Sequence, residues 1–135
     1  MKRVLTTVLA VVMVMVMSAG KGMAAEPTLR ELQREKLKAA EEWLGMIKEQ
    51  FRVGMSGSRE VFEAQGRVLE SRLELAETDP QREEVLGEML KASEAQLAEV
   101  ETRMKAGVMT PTDVAAAKYA VAEIKVRIAK VKGGK

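Results

Sequence analysis

Cysteine and histidine are both absent from the 135 residues of this chain, and aromatic residues make up only 3% of it. Without cysteine there is no disulfide framework, so packing alone must stabilise the fold. Typical zinc sites and nucleophiles activated by histidine are excluded as well. The sequence also has no Gly-rich phosphate-binding loop and no nucleophile motif. We therefore predict a protein that is not an enzyme and that holds no cofactor and no metal.

Neighbouring acidic residues are the only groups that suggest acid–base chemistry. They are Glu41 and Glu42, Glu83 and Glu84, and Glu99 and Glu101. A general acid or base needs a pocket that shifts its pKa. These glutamates alternate with Lys and Arg on helical faces that we predict to be exposed. We interpret them as solvated surface, and no small-molecule substrate is indicated.

Residues 1–25 have the layout of a secretory signal peptide. A short basic start, Lys2 and Arg3, precedes an apolar run from Val4 to Met17 and then a series of small residues. The run is shorter than the roughly 18 to 20 apolar residues that a transmembrane helix needs. We predict a cleaved leader. In the alternative, the leader stays attached as an anchor and provides the protein's contact with the membrane.

Cleavage of this leader would change the net charge. The whole chain has 22 basic and 20 acidic residues, a net charge of +2. Three of the bases and none of the acids lie in residues 1–25, so 19 bases and 20 acids would remain. No basic stripe is left that would attract a phosphate backbone. We therefore predict no nucleic-acid partner.

Apolar residues recur at alternating steps of three and four along four segments, which is the spacing of amphipathic helices. The first stripe ends before Gly54 and the third before Gly107, where a left-handed cap would end a helix. No segment alternates with a period of two, so we predict no strand. The stripes are Leu37, Ala40, Leu44, Ile47 and Phe51; Val61, Ala64, Val68, Ser71 and Leu75; Leu86, Leu90, Ser93, Leu97, Val100 and Met104; and Val114, Ala117, Val121, Ile124, Ile128 and Val131.

Two prolines mark helix starts. Thr110 is predicted as an N-cap, with Pro111 at the first helical position and Asp113 three residues after the cap. Because proline disfavours helical angles at the residue before it, Asp79 is predicted as the N-cap of the third helix, with Pro80 first in that helix. Short turns between consecutive helices would make them antiparallel.

The sequence repeats itself at an offset of 53 residues, where Phe51–Val61 recurs as Met104–Val114. Both copies read apolar, basic, small, glycine, apolar, and later an acid followed by valine. A period near 50 residues is typical of a duplicated supersecondary unit. The predicted boundaries are a domain at residues 26–132, repeat 1 at about 29–77, repeat 2 at about 80–131, and a disordered tail at 133–135.

These patterns together predict an all-α protein after an N-terminal signal peptide. Its helices would form antiparallel helical hairpins or a four-helix up-down coiled-coil bundle, built by internal duplication. Tyr119 occupies the position equivalent to Gly66, which predicts large-against-small packing between the second and fourth helices. Glu70 and its equivalent Glu123 are predicted to pair with Lys or Arg one turn away on the same helix.

The two glycine turns resemble those of the TolC-like outer-membrane efflux proteins. In that family a helix ends in an aromatic, a polar residue, a small residue and glycine, and the next helix opens with an acid and valine. Phe51–Met55 matches this pattern closely, whereas Met104 replaces the aromatic in the second copy. The resemblance covers the periplasmic helical hairpin module only, because the family's β-barrel strands have no counterpart in this sequence.

The resemblance implies that the glycine turns are tips that contact helical hairpins of adaptor proteins. It also implies an exported protein, located in the periplasm or at the periplasmic face of a bacterial outer membrane, with a role associated with efflux or transport. Its partner would be a helical cell-envelope protein or a second copy of itself. The alternative is a self-associating structural coiled-coil protein with no transport role. The candidate partner-binding residues are Val53, Gly54, Met55, Ser56, Ala106, Gly107, Val108 and Thr110.

Overall fold

The computed structural model describes residues 25–133, and four α-helices account for most of this part of the chain. They are α1 (Leu29–Arg52), α2 (Ser58–Leu75), α3 (Asp79–Lys105) and α4 (Pro111–Gly133). Residues 25–133 contain no strand, so the prediction of an all-α protein is confirmed. All of the proposed signal peptide except Ala25, and the last two residues of the proposed tail, lie outside the described residues. The first residue of the proposed tail, Gly133, is the last residue of α4.

Side-chain caps start the first and third helices. The Thr28 hydroxyl accepts a hydrogen bond from the Glu31 N–H at 3.2 Å, and the Glu31 carboxylate accepts from the Thr28 N–H at 2.7 Å. At α3 the cap is Thr78, so the prediction of Asp79 is wrong by one residue. Gln81 stands three positions after Thr78 and completes the same reciprocal pair of bonds, at 3.2 and 3.3 Å.

Each helix contacts the next one along the chain, with Cα atoms of the two helices within 8 Å of each other. Arg30, in the first turn of α1, donates to the carbonyl oxygen of Leu75 in the last turn of α2 at 3.0 Å. Ser58, which begins α2, accepts from Arg103 near the end of α3 at 3.0 Å. By these contacts α1 and α2, and likewise α2 and α3, run in opposite directions. In the described residues, the Cα atoms of α1 come this close to no helix but α2.

The core lies between α2, α3 and α4. Its buried members are Leu69 of α2, Val85, Leu86 and Met89 of α3, and Ile124 of α4. Leu86 at the centre is only 1% exposed. In contrast, α1 contributes no residue to this cluster, and Ala40 is its only buried residue. The fold is thus a three-helix core with a fourth helix packed on its α2 side.

An ion pair joins α2 to α4, although these helices are not consecutive. Arg127 donates to both carboxylate oxygens of Glu70, at 2.7 and 3.2 Å. The prediction that Glu70 pairs within its own helix is therefore wrong. Ile124 is buried in the core with residues of α2 and α3. Because Arg127 follows Ile124 by one turn of α4, its guanidinium lies next to the Glu70 carboxylate.

The predicted packing of Tyr119 on Gly66 is also wrong. Tyr119 is 70% exposed, and a Cβ atom built on Gly66 would meet nothing within 4 Å. Val121 and Ile124 of α4 are buried. Because each residue turns a helix by about 100°, Tyr119 lies on the side opposite Val121. α2 and α4 do contact each other through Glu70 and Arg127, but Tyr119 lies on a different face of α4 from the one that the repeat alignment predicts.

The Glu70–Arg127 pair makes stability depend on pH. The pKa of Glu70 lies below its ordinary value because Arg127 donates hydrogen bonds to the carboxylate, and partial burial opposes this effect less strongly. A carboxyl with a lowered folded-state pKa stabilises the fold above its unfolded-state pKa, and the contribution is lost as pH falls through the folded-state value. We expect Glu70→Gln to lower the free energy of unfolding by less than about 1 kcal/mol near neutral pH.

Urea denaturation at neutral pH and at a pH below both pKa values measures this effect. The loss caused by Glu70→Gln should disappear in acid, where the wild-type carboxyl is protonated as well. Glu63→Gln is the matched control, because Glu63 is an exposed glutamate of the same helix. An equal loss at both pH values would show that the substitution acts through packing and not through charge.

Candidate functional site at the glycine turns

The first glycine turn ends α1 with a left-handed cap. Gly54 has a φ of 78°. Its N–H donates to the carbonyl oxygen of Phe51 at 3.1 Å, and the N–H of Met55 donates to that of Gln50 at 2.7 Å. These two bonds form a Schellman motif, in which glycine adopts the positive φ at no steric cost. The predicted cap at Gly54 is present.

The second glycine turn repeats this geometry bond for bond. Gly107 has a φ of 76°, and its N–H donates to the carbonyl oxygen of Met104 at 2.9 Å. The N–H of Val108 donates to that of Arg103, also at 2.9 Å. Donors and acceptors correspond to those of the first turn at the offset of 53 residues. The two turns are thus equivalent in backbone hydrogen bonding as well as in sequence.

The helix starts that follow the turns are related but not identical. Asp113 accepts from the N–H of Thr110 at 2.8 Å, and the Thr110 hydroxyl accepts from the N–H of Asp113 at 3.3 Å. The Thr110 N–H and the Thr110 hydroxyl both donate to the Asp113 carboxylate, each at 2.8 Å, and these two bonds hold the pKa of Asp113 below its ordinary value. In the first copy Glu60 accepts from the N–H of Gly57 at 3.0 Å. Because Gly57 has no side chain, the reciprocal bond is missing there.

Polar contacts place both turns at the same end of the molecule. Ser58, which follows the first turn, donates to Glu99 and accepts from Arg103 at 3.0 Å. Arg103 also pairs with Glu99 at 2.8 Å and lies just before the second turn. The sequence analysis missed this cluster. Ser58 is more than 40 positions from both Glu99 and Arg103 in the chain, and no local pattern links it to them.

A groove of about 260 Å³ lies beside this cluster, between α2, α3 and α4. Apolar groups such as Phe62, Val100 and Met109 line part of it, and the charged side chains of Arg59 and Asp113 line it as well. Within residues 25–133 no group of three or more acidic side chains could hold a metal ion. The groove therefore provides a partly apolar recess at the turn end.

Most of the eight candidate residues are accessible to a partner. Val53 is 51% exposed, Met55 77% and Val108 71%. Gly54, Ala106, Gly107 and Thr110 are exposed as well, whereas Ser56 is half-buried and donates to the side chain of Gln50 at 2.9 Å. The fold brings all eight residues to one end. In the sequence these residues are selected by the resemblance of the two glycine turns to the tips of TolC-like efflux proteins.

No family model, no curated protein and no solved structure matches this chain. Over residues 25–133, none of the helices combines the length and the apolar character that crossing a membrane requires.

Proposed function

We propose that this chain is an exported, non-catalytic helical protein of the bacterial cell envelope, similar in its helical part to the module of TolC-like efflux proteins. Its two helical hairpins derive from one duplicated unit, and its glycine turns pack against a helical partner protein. The location is the periplasm or the periplasmic face of the outer membrane, and the role is associated with efflux or transport.

One observation carries this proposal: the two turns expose large apolar side chains at equivalent positions. Met55 and Val108 are related by the offset of 53 residues, and both are more than 70% exposed. Apolar side chains that are so exposed do not stabilise the isolated fold. Both copies nevertheless have one at the same place, directly after a left-handed glycine. Apolar side chains at the end of a rigid support are typical of protein contact sites.

Duplication is supported by the equivalent hydrogen bonds of the turns. The Schellman bonds at Gly54 and Gly107 and the acid-to-cap bonds of Glu60 and Asp113 all coincide at one offset. A single glycine cap arises easily by convergence, because glycine is the usual residue at that position. A matched series of five or more positions is what a duplicated unit leaves behind.

Site-specific photo-cross-linking in intact cells of the natural host tests the docking proposal. A photoreactive amino acid at position 55 or 108 is expected to give one adduct of defined mass with an envelope protein. The adduct should be lost when the other turn carries a charge, as in Met55→Glu or Val108→Glu, because burying an unpaired carboxylate disfavours the contact.

Leu29 provides the control position for this experiment. It is 73% exposed and therefore matches the turn residues in accessibility, but it lies at the opposite end of α1. A photoreactive residue there is expected to give no such adduct. The same adduct from position 29, or none from positions 55 and 108, would contradict docking through the turns.

The second candidate function is self-association as a structural coiled-coil protein without a transport role. It is favoured by apolar side chains that stay exposed along the helices, away from the turns. Trp43 and Met46 of α1 are 39% and 62% exposed, and Tyr119 and Val126 of α4 are 70% and 53% exposed.

A further inference from the structure

Exposed residues of α1, most of them apolar, form a continuous heptad seam. Steps of three and four residues connect Leu29, Leu32, Lys36, Ala39, Trp43, Met46 and Gln50, and every one of them is exposed. We call these residues the α1 seam. Its two polar members already have partners: Lys36 pairs with Glu74 at 2.8 Å, and Gln50 accepts from Ser56 at 2.9 Å. A seam of this spacing is the surface with which one helix packs along another.

A second exposed heptad seam runs along α4 and contains no charge. It consists of Ala115, Tyr119, Ala122, Val126, Ala129 and Gly133, again at steps of three and four. We call these residues the α4 seam. It faces away from the core, because Val121 and Ile124 are buried on the other side of the helix. Small residues alternate with large ones along it, so it offers holes for large side chains.

The charges beside the two seams are opposite in sign. On one side of the α1 seam stand Glu35, Glu42 and Glu49, one per heptad, and all three are exposed. On the corresponding side of the α4 seam stand Lys118, Lys125 and Lys132, also one per heptad and also exposed. In the numbering of a coiled coil both sets occupy position g. Charges at this position determine partner choice and orientation.

One antiparallel register satisfies both the apolar and the charged positions. When Trp43 lies opposite Ala122, the remaining seam positions face each other in order, and nearly every layer sets a large side chain against a small one. The layers are Leu32 with Gly133, Lys36 with Ala129, Ala39 with Val126, Trp43 with Ala122, Met46 with Tyr119 and Gln50 with Ala115.

The same register pairs the flanking charges without adjustment. In an antiparallel pair of helices, position g of one helix lies beside position g of the other. In this register each glutamate of α1 is two residues along the helix axis from being directly opposite a lysine of α4. The resulting pairs are Glu35 with Lys132, Glu42 with Lys125 and Glu49 with Lys118. Arg52 of the same helix already donates to both carboxylate oxygens of Glu49, at 3.0 and 2.5 Å, so in this pair Lys118 shares the exposed carboxylate with Arg52.

We infer that the α1 seam of one copy of this chain packs against the α4 seam of a second copy. The inference rests on the second candidate function, self-association, and does not involve the glycine turns. Within one chain α1 and α4 have no Cα atoms within 8 Å of each other. α1 ends and α4 begins at the turn end of the molecule, so the register holds neighbouring copies level, with their glycine turns side by side.

This contact joins two different surfaces. In a two-fold dimer it occurs twice and makes an isologous interface, whereas in a larger ring it is heterologous; either closed assembly uses every seam and leaves none exposed. The α1 helix, which has one buried residue in the isolated chain, would then be packed on both sides. The second copy thereby supplies the burial that the three-helix core does not give to α1.

Charge inversion tests the inference on the purified protein, with its N-terminus defined by mass spectrometry. Sedimentation equilibrium is measured for the wild type and for the triple variant Glu35→Lys, Glu42→Lys, Glu49→Lys. The dissociation constant is expected to rise by about tenfold or more, because three attractive pairs become repulsive. Adding Lys118→Glu, Lys125→Glu and Lys132→Glu to the same chain should restore the wild-type constant, since each pair is then reversed.

The matched control carries the same change in net charge away from both seams, as Glu41→Lys, Glu63→Lys, Glu94→Lys. These glutamates are exposed as well, and the control should associate like the wild type. A wild type that stays monomeric at millimolar concentration would overturn the inference. So would an α1 triple variant no weaker than the control, or a sextuple variant that fails to recover.

Cysteine cross-linking distinguishes two copies from closure within one chain. The native chain has no cysteine, so introduced thiols are the only ones present. Mixed samples of Ala39→Cys and Val126→Cys, each with a different tag, should form a disulfide between chains, whereas Ala39→Cys with Ala115→Cys should not. A disulfide that forms only within the double variant Ala39→Cys, Val126→Cys would mean that α1 closes on its own α4.

The two proposals fail separately. Loss of the turn adducts in cells, together with intact charge-dependent association, would remove docking through the turns and keep the seam contact. Intact turn adducts from a protein that is monomeric in solution would remove the seam contact and keep docking.

Discussion

Replacing Leu86 with Ala is expected to lower the free energy of unfolding by about 3 kcal/mol. Leu86 is 1% exposed and lies in the cluster in which α2, α3 and α4 meet. The substitution removes buried apolar atoms and leaves a cavity that a close-packed interior fills only in part. In a chain with so small a core, this is a large fraction of the total stability.

Urea denaturation followed by far-UV circular dichroism measures this loss. All variants are compared at one protein concentration, because association stabilises the folded state by mass action. Leu29→Ala is the control: its side chain is 73% exposed, and its loss should stay below about 0.5 kcal/mol. Similar losses for the two variants would mean that Leu86 is not in the centre of the core.

Replacing Gly54 or Gly107 with Val is expected to cost about 2 kcal/mol at each position. Both glycines have a φ between 70° and 80°. A side chain with a Cβ is strained in this left-handed region, and a β-branched one more than others. A Cβ atom at either position would meet nothing within 4 Å, so a clash with neighbouring residues does not contribute to this loss. The cost arises within the backbone of the residue itself.

Two further substitutions separate backbone strain from a general effect of altering glycine. Asn tolerates the left-handed region better than Val, so Gly54→Asn should lose clearly less stability than Gly54→Val. Gly45 lies within α1, where a Cβ atom has open space and helical φ, so Gly45→Ala should stabilise by about 0.5 to 1 kcal/mol. Wild-type stability of Gly54→Val would show that the turn is not held at positive φ.

The helices and their ends follow from local chemistry, and here the sequence was sufficient. Gly54 and Gly107 have the left-handed caps that their positions after an apolar stripe predict. Thr110 and Asp113 exchange the cap bonds that their spacing predicts. The cap of α3 is Thr78 and not the predicted Asp79, because the reciprocal bonds between Thr78 and Gln81 outweigh the effect of Pro80 on the residue before it. Both local rules were visible, and the reciprocal pair prevails.

Side-chain partners across helices did not follow from local chemistry. Glu70 has basic residues near it in sequence, yet it binds Arg127 of α4 at 2.7 Å. Tyr119 was placed against Gly66 on the basis of the repeat, yet it is 70% exposed. A stripe shows which residues share a face of a helix. It does not show which other helix, if any, that face will meet.

The sequence by itself therefore determined the ends of α1 and α3 and the start of α4, because capping bonds and left-handed glycines involve residues only a few positions apart. The tertiary structure alone decided that α2, α3 and α4 share the core and that α1 packs only on α2. It also decided that both glycine turns lie at one end, where Ser58 meets Arg103. These choices depend on the combined packing of side chains that are distant in the chain, and no short segment contains that information.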